Sequence, residues 1–461
     1  MKKNTAFIVL FVLILNFSFC INISSADPFD IPELTSESAV LMDARTGQVL
    51  FEKNMHERQL PASTTKIMTG LLTVENAELN HMITMSHDAV FSIVRGSSHI
   101  ALDTGERLTV KEALYALSVE SANDAANGVA EHIGGNTKAF AEMMTLRAKE
   151  LGALDTNFAN AHGLDEDNHY TTAYDMALIM SQAIKYPEFN EVFAANYYEM
   201  TPTNLQSEPR YFHSRNLFLN GRCDYEGIVA SKLGWTSKAN NTLVTAASRD
   251  GRDLVAAVMN NQAHNGTYED TVKLFDYGFN EFNEVIVLST ETNESIPVLS
   301  NNQVEGNVNV RPAEPVRRLL HKSLPANDFD VNYEILDYSN NEGFKTEVTF
   351  KLKQKSKYMY EELGSLVIIA PVDSSIQDTT VTVWGGINSF LLGLFNVLKI
   401  ILLIGLGLII LILILRQINQ YRLRKKRFSG RGNYRINNVT RNMNKDNNSY
   451  LNRYHNRDFD K

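Results

Sequence analysis

The stretch LPASTTKIMTGLL, residues 60–72, decides how the rest of the sequence is interpreted. Ser63 and Lys66 stand three residues apart, a spacing that places both side chains on one face of a helix. A serine hydroxyl is a weak nucleophile until a base removes its proton, and a buried lysine of lowered pKa can be that base. The same pattern also fits a serine that only caps the start of a helix. This stretch alone leaves both interpretations open.

Two later stretches carry polar side chains that suit the same chemistry. SVESANDAAN contains Ser121 and Asn123, a hydroxyl and an amide that can face one cleft just past a predicted helix. VASKLGWTSKANN contains Lys232, a fixed positive charge, on a predicted strand, where Gly234 lets a bound chain approach the backbone closely. The spacing of the three stretches predicts three separate elements that meet at one cleft.

The chain between its two ends divides into two predicted modules. Residues 36–282 open with a strand hairpin, continue through helical patterns such as TVKEALYAL, and return to strands. This order predicts an α+β domain, an antiparallel sheet closed by distant segments and packed with a helical subdomain. Residues 283–384 contain short alternating runs separated by Asn, Gly and Pro, which predicts a small β-sandwich.

Both ends of the chain carry targeting patterns. Residues 1–26 read as a secretory signal peptide, with an uncleaved anchor helix as the alternative. Residues 395–415 are apolar enough for a transmembrane helix, with a buried core helix as the weaker alternative. The tail that follows, residues 416–461, has 13 Lys and Arg against 3 Asp and is expected to be disordered. The positive-inside rule predicts a single-pass protein of the cell membrane, with an exported N-terminal bulk and a cytoplasmic tail.

Charge and cysteine content exclude several classes of function. The net charge of −9 includes the basic tail, so the residues before 416 carry about −19, which argues against nucleic acid as a partner. Cys20 and Cys223 are the two cysteines, and signal cleavage would leave Cys223 alone. The eleven histidines show no HExxH or similar ligand spacing. We therefore expect no cysteine-based metal site and no histidine site of the HExxH kind.

Taken together and in this order, the motifs resemble those of the membrane-bound D-alanyl-D-alanine carboxypeptidases, the low-molecular-weight penicillin-binding proteins. The resemblance runs from Ser38 to Phe282 and is carried by AVLMDARTGQVLFEKN, PASTTKIMTG, LYALSVESANDAANGVAE, NFANAHGLDEDNHYTTAYDMA and LFDYGFNEF. It implies a β-lactamase/transpeptidase-like catalytic domain, a β-rich domain after it, a C-terminal membrane anchor and no cofactor.

The resemblance implies that Ser63 is the acylated nucleophile, that Lys66 is its general base, and that Ser121 relays a proton between the reacting groups. The implied reaction removes the terminal D-alanine from peptidoglycan stem pentapeptides through an acyl-enzyme that water hydrolyses. β-Lactam antibiotics would acylate Ser63 in the same way and act as covalent inhibitors.

The resemblance also implies a set of substrate-binding residues. Asn123 would hold a peptide carbonyl of the substrate, and Lys232 would polarise the relay serine and attract the terminal carboxylate. The strand that carries Gly234 would lie close to the bound peptide. The backbone N–H groups of Ser63 and Trp235 would form the oxyanion hole.

Leu233 departs from the family pattern, which usually has Thr or Ser there to bind the terminal carboxylate. Leucine has no hydrogen-bond donor on its side chain, and losing a charged hydrogen bond costs about 1.5–3 kcal/mol. The family also tends to carry an arginine ahead of its last helix, whereas QAHNGTYEDT, residues 262–271, has none. Thr236 and Ser237 are the candidates to compensate.

Two other functions stay open on the sequence. A β-lactamase-like hydrolase would need fast deacylation, and no extra glutamate base is assignable between the second and third motifs. A peptidoglycan-binding or morphogenetic protein with weakened or lost catalysis is favoured by Leu233, although the other site residues are intact.

Structural interpretations are favoured for three further features. His162 could be the base of a Ser-His-Asp site, but Lys66 already supplies a base and no GxSxG motif surrounds a serine. Cys223 is interpreted as a lone thiol. The pair Tyr197-Tyr198 could line a sugar groove, but core packing is the interpretation we favour.

Overall fold

A computed structural model describes residues 31–263, 265–300, 303–339, 343–353 and 362–370. The predicted signal peptide, transmembrane helix and basic tail lie outside these residues, as does the end of the predicted β-rich module. Among the described residues, no helix is long and apolar enough to cross a membrane.

Strands at both ends of the first module enclose a group of helices, and further strands form the second module. The strands, in chain order, are β1 (Ser38–Asp43), β2 (Val49–Lys53), β3 (Met82–Thr84), β4 (Arg107–Thr109), β5 (Tyr197–Met200), β6 (Arg210–His213), β7 (Ile228–Thr236), β8 (Asn240–Arg249), β9 (Arg252–Asn261), β10 (Phe282–Leu288), β11 (Glu294–Ser300), β12 (Gln303–Val310), β13 (Val316–His321), β14 (Phe329–Ser339), β15 (Gly343–Leu352) and β16 (Glu362–Ala370). The helices are α1 (Lys66–Asn76), α2 (His87–Phe91), α3 (Val110–Val119), α4 (Asn123–Gly134), α5 (Thr137–Glu150), α6 (Ala173–Ala183), α7 (Pro187–Phe193) and α8 (Gly266–Glu281), and the 3₁₀ turn Ala62–Thr65 leads into α1.

A five-stranded antiparallel sheet, in the order β2-β1-β9-β8-β7, joins the two ends of the first module. Val40 of β1 lies opposite Ala257 of β9, so the sheet closes only after the chain has passed through the helices. Successive residues of a strand face opposite sides of the sheet. Leu41 therefore packs in the apolar cluster that includes α8, whereas Val40 and Met42 pack in the cluster that includes the other helices. The prediction of a sheet closed by distant segments is confirmed.

Helix α1 is the central element of the helical part. Its residues from Lys66 to Thr73 are all buried. Gly70 leaves room for the neighbouring helix α7, because a Cβ at this position would lie 2.6 Å from the ring of Phe193. Close packing around the first half of α1 thus keeps water away from Lys66, the first residue of the helix.

The predicted capping box at the start of α3 is confirmed. Thr109 Oγ1 accepts a hydrogen bond from the Glu112 N–H at 3.1 Å, and Glu112 Oε2 accepts one from the Thr109 N–H at 2.8 Å. These bonds fix where α3 begins, and the helix ends at Val119. The chain therefore turns at Ser121 before α4 begins at Asn123.

The described residues after α8 form antiparallel strands, as the sequence predicts for a β-rich module. β10 pairs with β13, β11 with β12, and β15 with both β14 and β16. Val348 and Phe350 belong to the apolar cluster of this part. The β-rich module contacts the first module at Leu319. The Gln48 side chain forms two hydrogen bonds with the backbone of this residue. The sandwich arrangement and the boundaries at residues 36, 282 and 384 stay predictions.

The loop that contains Gly163 presses against the turn that carries Ser63. Gly163 has a φ of +92°, and a Cβ there would lie 1.7 Å from the carbonyl oxygen of Ala62. The Gly163 N–H donates to Asn160 Oδ1 at 2.7 Å, which holds the loop in this conformation. Only glycine fits at this position, for both space and backbone angle.

We predict that Gly163→Ala lowers the melting temperature of the full-length chain at least twice as much as Gly135→Ala. Gly135 also has a positive φ, of +75°, but its Cβ would meet nothing within 4 Å. The control variant therefore bears only the left-handed strain of about 1–2 kcal/mol, whereas Gly163→Ala adds a backbone clash. Thermal unfolding measures both, and equal shifts would contradict the close packing of this loop.

Candidate active site

Ser63 and Lys66 are brought together at the start of α1. Lys66 Nζ lies 3.1 Å from Ser63 Oγ, and Lys66 is fully buried. The N-cap positions are Pro61 for the 3₁₀ turn and Thr65 for α1, and neither uses a side-chain capping bond. The interpretation of Ser63 as a helix cap is therefore wrong, because its side chain faces the lysine instead.

The surroundings of Lys66 favour a neutral amine. Its Nζ is 2.7 Å from Asn123 Oδ1 and 2.7 Å from the carbonyl oxygen of His162. Burial, and then the charge of Lys232, lower the pKa of Lys66 well below its usual range, although Asp124 opposes this effect. A neutral amine has two N–H donors and one lone pair. The two donors serve Asn123 and His162, so the lone pair is left to accept the Ser63 hydroxyl proton.

Ser121 lies in the turn between α3 and α4 and lines the same cavity as Ser63. Its φ is +58°, a strained left-handed conformation for a residue other than glycine. Such strain is common at functional sites, because it aims a side chain that the surrounding structure holds in place. Ser121 Oγ accepts a hydrogen bond from Lys232 Nζ at 3.1 Å.

Strand β7 supplies the positive charge of the site. Lys232 Nζ donates to Ser121 Oγ and, at 3.0 Å, to the carbonyl oxygen of Leu233. Burial, and then the charge of Arg215, lower the pKa of Lys232 to about 7. Lys232 therefore changes its charge near neutral pH, unlike a lysine in water.

Gly234 allows β7 to pack directly against the nucleophile turn. A Cβ at Gly234 would lie 2.8 Å from the backbone nitrogen of Ser63. Trp235, which is predicted to form the oxyanion hole together with Ser63, follows Gly234 in the strand and lines the same cavity as Ser63. The Trp235 side chain is 63% exposed at the rim of the cleft.

The hydroxyl of Thr236, a candidate to compensate for Leu233, already has two hydrogen-bond partners in the structure. Its Oγ1 donates to Asp165 Oδ1 at 2.9 Å and accepts from the Ala239 N–H at 3.0 Å. The hydroxyl thus ties the end of β7 to the loop that contains Asp165. Sequence reasoning missed Asp165, because nothing in its own stretch marks it as a partner of a strand 71 residues away.

Arg215 is a second residue of the cleft that the motifs did not indicate. The cavity beside Ser63 is about 150 Å³ in volume, and its lining includes Arg215 and Glu120. Arg215 Nη2 is 3.6 Å from Glu120 Oε2, and the Arg215 side chain is 73% exposed. The polar stretch HSRN between two strand patterns was the available signal.

The structure gives different results for His162, Tyr198 and Tyr197, the residues for which the sequence favoured structural roles. Burial, then Lys66 and His169, lower the pKa of His162 to about 3, so its ring stays neutral, and it is the carbonyl of His162 that contacts Lys66. Tyr198 stacks on Tyr115 with ring centroids 3.8 Å apart, which confirms core packing for Tyr198. Tyr197 is 45% exposed, so core packing is wrong for that residue.

Cys223 is a free, half-buried cysteine. Within the described ranges, no group of three or more His, Cys, Asp or Glu side chains is placed to hold a metal ion.

Comparisons with known proteins agree with this geometry. The family model Peptidase_S11, described as D-alanyl-D-alanine carboxypeptidase, matches residues 24–263. The chain is 30% identical over 317 residues to D-alanyl-D-alanine carboxypeptidase DacF of Bacillus subtilis, covering 66% of this chain and 77% of that protein. It is 34% identical over 270 residues to D-alanyl-D-alanine carboxypeptidase DacD of Escherichia coli, covering 56% and 66%.

Solved structures share the fold. Penicillin-binding protein 5 from Haemophilus influenzae has a TM-score of 0.59 at 26% identity, covering 74% of this chain and 98% of that one. D-alanyl-D-alanine carboxypeptidase DacD from Francisella tularensis has a TM-score of 0.57 at 23% identity and supports the fold alone, covering 75% and 95%. Fold and site together define a serine peptidase of the transpeptidase-like class. The chain belongs to the D-alanyl-D-alanine carboxypeptidase family, the low-molecular-weight penicillin-binding proteins.

We predict a bell-shaped pH dependence for acylation by a β-lactam. The rate rises with pH as Lys66 loses its proton and becomes a base, and it falls through about pH 7 as Lys232 loses its charge. Burial lowers the pKa values of His162 and His169 to about 3 and about 4, so neither ring produces the alkaline limb.

The variant Lys232→Arg tests the assignment of the alkaline limb. Arginine stays protonated throughout the range, so the alkaline limb is expected to move above pH 9 while the acid limb stays in place. Lys238→Arg, at an exposed lysine six residues on, is the matched control and keeps the wild-type profile. An alkaline limb that is unchanged in Lys232→Arg would show that another group produces it.

Proposed function

We propose that this chain is a serine-type D-alanyl-D-alanine carboxypeptidase that removes the terminal D-alanine from peptidoglycan stem pentapeptides. The observation that carries the proposal is the pair of Lys66 and Ser63, in which a buried amine of lowered pKa lies 3.1 Å from the hydroxyl. This pair supplies an activated nucleophile, which is the requirement for acyl transfer through a covalent intermediate.

In the first half-reaction, Lys66 takes the proton of Ser63 while Oγ attacks the carbonyl carbon of the penultimate D-alanine. The backbone N–H groups of Ser63 and Trp235 stabilise the oxyanion. Ser121 delivers a proton to the nitrogen of the departing D-alanine. The Lys232 ammonium, 3.1 Å from Ser121 Oγ, makes that hydroxyl a better proton donor.

In the second half-reaction, water hydrolyses the ester on Ser63. The proton that Lys66 received has moved on through Ser121 to the leaving nitrogen, so the amine is neutral again when water enters. Lys66 then removes a proton from the attacking water. Asn123 holds a peptide carbonyl of the substrate during both steps, and its contact with Lys66 links substrate position to the base.

β-Lactam antibiotics are proposed as covalent inhibitors of the same serine. The strained amide of a β-lactam is attacked by Ser63 as the peptide is, but its nitrogen stays tethered to the acyl group after the ring opens. The leaving group therefore remains near Ser63 and hinders the entry of water.

The proposed setting is the outer face of the cell membrane. The signal peptide pattern of residues 1–26, the apolar run 395–415 and the basic tail 416–461 support an exported catalytic domain on a single C-terminal anchor. We propose that the β-rich module, residues 283–384, is a small sandwich that holds the active site away from the membrane, near its polymeric substrate.

Release of D-alanine from a soluble stem pentapeptide tests the function. The full-length chain is expected to release it, Ser63→Ala to release none, and Lys66→Met to be slower by about 10²–10⁴-fold because it lacks the general base. Lys185→Met, at an exposed lysine, is the matched control and keeps wild-type activity. Penicillin binding without D-alanine release in the wild type would instead favour a cell-wall-binding protein with lost catalysis.

A further inference from the structure

A second cavity adjoins the catalytic cleft on the side of Lys232. Its volume is about 760 Å³, and it shares Arg215, Leu233 and Trp235 with the cavity beside Ser63. The two cavities therefore adjoin along β7. A departing D-alanine has only a methyl side chain, so it would leave most of this second cavity unfilled.

One wall of the second cavity is apolar. Leu217, Leu233 and Tyr268 line it, and all three belong to the apolar cluster that includes α8. Tyr268 is held in place because its hydroxyl oxygen accepts a hydrogen bond from the Leu217 N–H at 3.3 Å. Leu233 therefore offers an apolar surface where family members usually offer a hydroxyl.

The charged groups of the same cavity are mainly cationic. Arg215 and Arg222 line it, together with one carboxylate, Glu120. Glu120 Oε2 is 3.6 Å from Arg215, which is a loose ion pair, and Glu120 Oε1 is already engaged by the His213 N–H at 3.0 Å. The Arg215 guanidinium is 73% exposed and only loosely paired with Glu120, so it has N–H donors left to bind a carboxylate that enters the cavity.

We infer that this second cavity is a leaving-group subsite for D-amino acids whose apolar side chains are larger than methyl. The side chain packs on Leu217, Leu233 and Tyr268, and the terminal carboxylate binds Arg215. The inference rests on the proposed function and names the substrate class of the same site: stem peptides that end in a bulky apolar D-residue.

The chemistry of the step is the one already described. The Ser63 Oγ–carbonyl bond forms, the peptide bond to the last residue breaks, and the Ser63 proton reaches the leaving nitrogen by way of Lys66 and Ser121. Water then converts the ester to a carboxylic acid and restores Ser63. The products are the shortened peptide and one free D-amino acid, and no further reactant is needed.

The test compares two peptides that differ only in the last residue, D-Ala-D-Ala and D-Ala-D-Leu, on the full-length chain. Burial of the added methylene groups is expected to raise kcat/KM for D-Leu release at least about tenfold over D-Ala release. Leu233→Thr restores the hydroxyl and removes the Leu233 part of the apolar wall, so the D-Leu preference is expected to fall several-fold. Leu154→Thr, at a leucine that is 71% exposed, is the matched control and keeps the preference.

The comparison of the two peptides distinguishes failure of the proposed subsite from failure of the proposed carboxypeptidase activity. Release of D-alanine with discrimination against D-leucine, or a D-Leu preference that Leu233→Thr leaves unchanged, overturns the subsite and leaves the carboxypeptidase intact. Release of neither residue by the wild type overturns the proposed function itself.

A third peptide, with a C-terminal carboxamide, tests the role of Arg215. The wild type is expected to prefer the carboxylate by about 10- to 100-fold, the range of a charged hydrogen bond. In Arg215→Gln this preference is expected to fall several-fold, because the carboxylate keeps only the attraction of Lys232. A preference that is unchanged in Arg215→Gln would show that Arg215 does not bind the carboxylate, since loss of packing alone would slow both peptides equally.

Discussion

The buried amine of Lys66 is the interaction on which the rest of the site depends. Its Nζ lies within hydrogen-bond distance of Ser63 Oγ, Asn123 Oδ1 and the carbonyl oxygen of His162, so three distant segments meet at one nitrogen. None of these three partners carries a negative charge that would hold a proton on the amine. Burial disfavours the charged form and lowers the pKa of the amine well below its usual range, which suits a general base.

That arrangement needs close backbone packing on both sides of the nucleophile. Gly234 brings β7 against the backbone of Ser63, and Gly163 brings a loop against the carbonyl of Ala62. The left-handed φ of Ser121 adds local backbone strain, and the Ser121 hydroxyl accepts a hydrogen bond from Lys232. The site therefore lies where the sheet and the helices are pressed together, and each closely packed residue serves the geometry around one hydroxyl.

The features that could be predicted from the sequence depend on residues that are close together in the chain. The spacing of Ser63 and Lys66 and the capping box at Thr109 depend on neighbours within one helical turn. Thr236 instead bonds to Asp165, 71 residues away, and Arg215 reaches the cleft from the segment between β6 and β7. Such pairings depend on how the sheet closes over the helices, and no short pattern encodes that closure.

Covalent labelling with a fluorescent penicillin tests directly whether Ser63 is an activated nucleophile. The full-length chain would be compared with Ser63→Ala and with Ser207→Ala, a substitution at an exposed loop serine. Activation by Lys66 predicts a label on the wild type and on Ser207→Ala, located at residue 63 by peptide mass spectrometry, and none on Ser63→Ala. An unlabelled wild type, or a label that persists in Ser63→Ala, would contradict this mechanism.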